Sequence, residues 1–163
     1  MAELVPIRKT ESVFDEVERM HDRIMRRAYE IFASSGGLFG KDLEDWKQAE
    51  QELVWKPAIE LTEKGNQFRL ELAAAGVDPK NIDIEVTPED ILIKADLHHE
   101  HGEQKGEVYA CEFAHGNLFR AIHLPKKIEP GKVKAEFKNG LLTLNAPIAG
   151  EARIQTFPIE ISA

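Results

Sequence analysis

Three of the chain's six histidines stand within four positions, in His98-His99-Glu100-His101. Imidazoles this close can hold Zn²⁺, Cu²⁺ or Ni²⁺, with Glu100 as an oxygen donor. In a strand, His99 and His101 share a face. The other reading is a solvated loop whose imidazoles bind nothing specific. The single cysteine, Cys111, is either a redox handle near a subunit contact or an inert thiol. Arg120 is a different oddity, because it shares the apolar face of its run with Leu118, Ile122 and Leu124. A guanidinium there needs a carboxylate or carbonyl partner, which an interface with another chain supplies. Otherwise the strand end is open and Arg120 snorkels to water.

Catalytic and nucleotide-binding patterns are missing from the sequence. Gly40-Lys41 is followed by Asp42, and no glycine stands five positions before Gly40, so there is no phosphate loop. Gly36-Gly37-Leu-Phe-Gly40 lacks the dinucleotide spacing, and neither G-x-S-x-G nor H-E-x-x-H occurs. With 29 acidic residues the spacing of carboxylates carries no information. The expectation is a protein with no catalytic residues, no cofactor and no bound metal.

The elements that position these residues change character at Trp55. From Ser12 to about Phe32 the apolar residues Val13, Phe14, Val17, Met20, Ile24, Ala28 and Ile31 recur in steps of three and four, which predicts an amphipathic helix. Ser12 with Asp15 resembles a capping box, and Asp15–Arg19 and Asp22–Arg26 are favourable i,i+4 pairs. Ser34-Ser35-Gly36-Gly37 stops the helix, and the acidic stretch from Lys41 to Lys47 follows as a second candidate helix. The stripe packs either on its own domain or on a partner or non-native chain. The lead before it shows few strand signals and reads as flexible.

After Trp55 the period is two. Phe68/Leu70/Leu72, Ile82/Ile84/Val86, Ile91/Ile93/Ala95, Val133/Ala135/Phe137 and Leu142/Leu144/Ala146 each line one face. Turn residues separate the runs, and Asn139-Gly140 between two of them is the strongest hairpin signal. This spacing predicts an all-β antiparallel, immunoglobulin-like β-sandwich with a helical N-terminal arm and an extended tail. The polar stretch from His98 to Glu107 is long for a hairpin loop, and Val108-Tyr109-Ala110-Cys111 after it makes one further short strand. In the tail, Ile159 and Ile161 point to one side of an extended segment, and Pro158 suits an edge or lone strand.

A net charge of −8 (21 basic against 29 acidic residues) excludes general attraction to nucleic acid or anionic lipid. One cysteine excludes an intrachain disulfide framework and fits a reducing compartment. The N-terminus has no apolar signal segment, and the longest uncharged stretch, Asn139 to Gly150, is too short to span a membrane. The expected location is the cytoplasm.

The layout resembles the small heat shock proteins of the Hsp20 family, with their α-crystallin domain. Trp55-Lys-Pro57-Ala58 with Ile59 and Leu61 is similar to that domain's opening. Gly116, Leu118, Arg120, Leu124 and Pro125 are similar to G-x-F-x-R-x-x-x-L-P. Ala135-x-x-x-Asn139-Gly140-Leu141-Leu142 is like A-x-x-x-N-G-x-L, and Ile159-Glu160-Ile161 matches the tail motif I-x-I. The chain departs from the family pattern at Leu118, at Glu112-Phe113 where Glu-Arg is common, and at Asn145-Ala146-Pro147. The resemblance implies an arm over residues 1–52, an α-crystallin domain over 53–147 with a dimerisation loop at 98–115, and a tail over 148–163.

The resemblance further implies an ATP-independent holdase that binds unfolded client proteins and assembles as a homo-oligomer of dimers. Dimers form by exchange of the Val108–Cys111 strand onto the partner's edge near Trp55 to Leu61, with Arg120, Tyr109, Cys111 and Trp55 at the interface. Ile159 and Ile161 dock in a neighbour's groove formed by Ile82, Ile84, Val133 and Ala135. Two buried Ile at roughly 1.5–3 kcal/mol each make a reversible link before ordering costs. Phe14, Val17, Met20 and Ile24 are the expected client contacts, exposed when heat loosens the assembly. The competing readings are a monomeric β-sandwich adaptor or co-chaperone for one partner, and a metal-binding or enzymatic role for the histidine loop.

Overall fold

The period-two runs become two five-stranded sheets in a computed structural model that describes residues 2–37, 39–97, 106–111 and 116–150. In chain order the strands are β1 (Glu3–Val5), β2 (Ile7–Lys9), β3 (Val54–Trp55), β4 (Ile59–Lys64), β5 (Gln67–Ala73), β6 (Ile82–Val86), β7 (Asp90–Leu97), β8 (Gly116–His123), β9 (Lys134–Lys138) and β10 (Leu141–Pro147). Helices α1 (Phe14–Ser34) and α2 (Asp42–Leu53) lie between β2 and β3. One sheet runs β1-β9-β10-β5-β4 and the other β2-β6-β7-β8-β3. Alternation sets which side faces in. Phe68, Leu70 and Leu72 of β5 meet Ile82, Ile84, Ile91, Ile93, Leu118, Leu142 and Leu144 in one core.

Asn139-Gly140 forms the expected two-residue hairpin, with Lys138 opposite Leu141. Asn139 has φ 52° and Gly140 φ 78°, the left-handed pair such a turn requires. Gly140 has a second reason to be glycine, because a Cβ there would lie 3.0 Å from the Ala75 Cα. At the other sheet, Gly116 (φ 95°) lets the backbone of Leu53 approach, where a Cβ would stand 3.1 Å from the Leu53 carbonyl oxygen. That approach brings β3 alongside β8. The chain then passes the buried Pro57 and enters the opposite sheet as β4.

The sandwich is not wholly antiparallel. β2 on β6 and β3 on β8 are short parallel pairs at the two edges of one sheet. Long connections allow this: each edge strand is separated from its neighbour by other elements, so no tight turn has to join them.

The N-terminal lead corrects an expectation, for it is a pair of strands rather than a flexible segment. Val5 of β1 sits opposite Ala135 and Ile7 of β2 opposite Ile84. Three-residue strands give too short a pattern to read locally, and the two sheets supply their partners.

Helix α1 begins later than the sequence suggests. Val13 is its N-cap without a side-chain bond, and Ser12 Oγ accepts from the Phe14 amide, so the capping box does not form. Arg19 pairs with Glu16 at 3.8 Å, in place of Asp15, and Arg27 bridges Glu30 and Glu52. Residues Val108–Cys111 form no strand within this chain.

Candidate functional site

The outer face of the β7–β8 pair is the first surface. Strand alternation puts Leu92 and Phe119 there, opposite the sandwich core, and both are buried. They are covered by the helical hairpin, where Val13, Met20, Ile24, Ile31, Ala49 and Val54 join them in a second core with Val17, Ala28 and Trp46 at its margin. The sheet is thus apolar on both faces at these positions, unlike a half-solvated antiparallel sheet. Of the expected client residues, Met20 and Ile24 are buried, Val17 is partly buried, and only Phe14 is exposed, at 69%. In this chain the stripe packs on its own domain. The exposed apolar side chains Phe14, Met25, Tyr29, Phe39 and Leu43 lie along the outside of the hairpin or its connecting turn.

The hairpin is tied by charge as well as packing. Arg27 Nε donates to Glu52 at 2.6 Å, joining α1 to the end of α2. That hydrogen bond, with a second from Gln48, holds the Glu52 carboxyl below the usual carboxylate range.

The second surface is the channel between β6 and β9, where Ile82, Ile84, Val133 and Ala135 were expected to receive the tail. All four are buried, and residues 3–9 fill the edge between them. Val5 is 5% exposed within the main core, and Ile7 packs against it. Arg8 donates to both Asp83 oxygens, at 3.1 and 2.6 Å, and to Glu85 at 2.8 Å. These carboxylates raise the Arg8 guanidinium above its ordinary value, chiefly through the Asp83 hydrogen bond. The Thr10 amide continues the pairing to the Val86 carbonyl at 3.0 Å.

The third surface is the β3–β8 edge. Trp55 is opposite Leu118 and half-buried against the core. Arg120 is opposite Ile93, partly buried, and has no ion pair among the described residues. Tyr109 is 91% exposed and Cys111 is an exposed free thiol. His98, His99, His101, Phe113, Ile159 and Ile161 lie outside the described residues. Among the described residues no group of three or more His, Cys, Asp or Glu side chains is arranged to hold a metal ion.

Sequence reasoning missed Val5, Ile7, Leu92 and Phe119. Leu92 and Phe119 were visible as apolar residues at outward positions of strands. Val5 and Ile7 carry the same i,i+2 spacing as the tail isoleucines.

Residues 60–162 match the family model described as Hsp20/alpha crystallin family. The chain belongs to that family. A second model, described as a protein of unknown function (DUF2934), matches residues 19–54, which cover most of α1 and all of α2. The Hsp20 match leaves this helical hairpin outside it. Among relatives, the Stigmatella aurantiaca spore protein SP21 is 32% identical over 56% of this chain and 54% of its own. The Daucus carota 18.0 kDa class I heat shock protein is 27% identical over 82% of this chain and 81% of its own. The chain spans only about half to two thirds of the length of several curated Hsp20 relatives it matches. A Xylella fastidiosa small heat-shock protein structure superposes with TM-score 0.52 and 26% identity, over 67% of this chain and 96% of its own. The Schizosaccharomyces pombe heat shock protein 16.0 shares the fold at TM-score 0.54 and 23% identity, over 66% of this chain and 99% of its own.

Proposed function

We propose that this Hsp20-family chain is an ATP-independent holdase chaperone, which binds partly unfolded proteins and keeps them from aggregating. The observation that carries the reading is the α-crystallin sandwich within the Hsp20 match, joined to an apolar helical hairpin stored on its outer face. Holding requires apolar surface that is available on demand and hidden otherwise. Met20, Ile24 and Val17 against Leu92 and Phe119 form such a store, and Phe14 is its exposed start. Methionine in the stripe suits contacts with unrelated sequences. A net charge of −8 keeps loaded complexes in solution.

Assembly belongs to the same proposal. The edge carrying Trp55 and Arg120 is the dimer contact, completed by Tyr109 and Cys111 of the other copy, and Ile159 and Ile161 link dimers. No helix among the described residues is long and apolar enough to cross a membrane. The proposed setting is the cytoplasm, where a lone thiol stays reduced.

The test is light scattering from a heat-labile client, with and without this chain and with no nucleotide. Suppression at near-stoichiometric amounts is expected. A folded chain that leaves scattering unchanged sinks the holdase reading and turns attention to a single dedicated partner.

A further inference from the structure

The segment Leu4-Val5-Pro6-Ile7 and the tail segment Phe157-Pro158-Ile159-Glu160-Ile161 carry the same device. Each carries two branched apolar residues at i and i+2, a spacing that puts both on one side wherever the backbone is extended, beside a proline that withholds one amide. The first is seated between the sheets. β1 runs antiparallel to β9 and β2 parallel to β6, so residues 3–9 use the free backbone edges of both. Val5 enters the core that Ile82, Ile84, Val133 and Ala135 also line. A strand edge has one set of free amides and carbonyls, and it cannot serve two strands at once.

We propose that residues 3–9 are the resident ligand of the β6–β9 groove, and that the Ile159–Ile161 tail of another copy enters only by displacing them. This rests on the reading of that tail as the link between dimers. The resident has three advantages. It is covalently attached, with only residues 10–13 between β2 and α1, which gives an effective concentration of about millimolar or more. Arg8 is matched to Asp83 and Glu85 on β6. The tail motif instead carries Glu160, which would meet these carboxylates with like charge if it occupied that flank. Displacement therefore needs either many tails acting together or release of the tether. The tether is anchored by α1 on Leu92 and Phe119, so the event that lifts the hairpin also frees the groove. Client surface and linking site are opened together.

Leu4 and Glu136 are opposite one another across β1 and β9, both exposed, and thus suit a reversible lock. The chain to use is full length, carrying Leu4→Cys and Glu136→Cys, with Cys111→Ser to remove the native thiol. Ile159→Ala and Ile161→Ala silence its own tail. A fluorescent peptide of residues 155–163 is titrated against the oxidised and reduced forms. Reduced protein is expected to bind at least about tenfold more tightly, since only it populates the open groove. An added Arg8→Ala, which leaves Val5 and Ile7 in place, should tighten binding further in the reduced form alone. Equal affinity in both redox states overturns the proposal. Absence of binding in both states overturns it too, by showing that the tail is no ligand of this groove. Client scattering on the wild-type chain decides the holdase reading separately from either result.

Discussion

Gly140 is fixed by two independent constraints: a left-handed backbone and the approach of Ala75. Gly140→Ala should destabilise the fold by about 1–3 kcal/mol, read as a lower melting temperature. Arg120 is the opposite case, a charge set on an inward-facing position opposite Ile93. Its proposed partner comes from a second copy, so Arg120→Gly should lower both thermal stability and native mass. Wild-type mass and melting in that variant would mean that Arg120 snorkels. The Glu52 carboxyl, lowered by Arg27, contributes stability that is complete above its unfolded pKa. That contribution is lost as pH falls from the ordinary glutamate range through the lower folded value. Protection factors for hydrogen exchange in α2 should therefore fall in acid more for wild type than for Glu52→Gln, which lacks the charge at every pH.

The α1–α2 hairpin is held by an interface rather than by caps: neither helix has a side-chain N-cap bond. Phe119 reaches across that interface from β8. Phe119→Ala should cost about 3–5 kcal/mol at the contact and open the hairpin to protease before the sandwich. Cleavage within α1 is the readout, and an unchanged digestion pattern would show that the helices hold without Phe119. If the hairpin is the client store, the same variant should suppress client scattering at lower temperature than wild type.

For the whole molecule the proposal concerns assembly. Once heat lifts the hairpin and frees the groove, Ile159→Ala with Ile161→Ala should leave dimers or small species where wild type forms larger assemblies, measured by light scattering coupled to size exclusion. Unchanged mass would mean that the tail does not link dimers. Each link is worth a few kcal/mol at most, so intact assemblies should exchange subunits on mixing.

Much of this was legible in residues 53–147 from pattern alone. Period-two alternation named the inward residues of β5, β6, β7 and β10, because a strand's faces are fixed by its own backbone. Asn139-Gly140 named the hairpin because φ > 0 at both positions is a local demand. The 3.6-residue stripe named α1. None of that depends on distant neighbours. Tertiary structure decided what those faces meet. The stripe alone fitted its own domain or another chain, and Leu92 with Phe119 settled it by making the outer sheet face apolar as well. Residues 3–9 are strands only because β6 and β9 leave edges open there, and three-residue strands have no periodicity of their own. The chemistry of a local turn or face is written in adjacent residues. The occupant of an edge is chosen by groups more than 70 residues away, the Ile84 backbone opposite Ile7 and the Asp83 carboxylate 75 residues from Arg8, and only the folded chain brings them together.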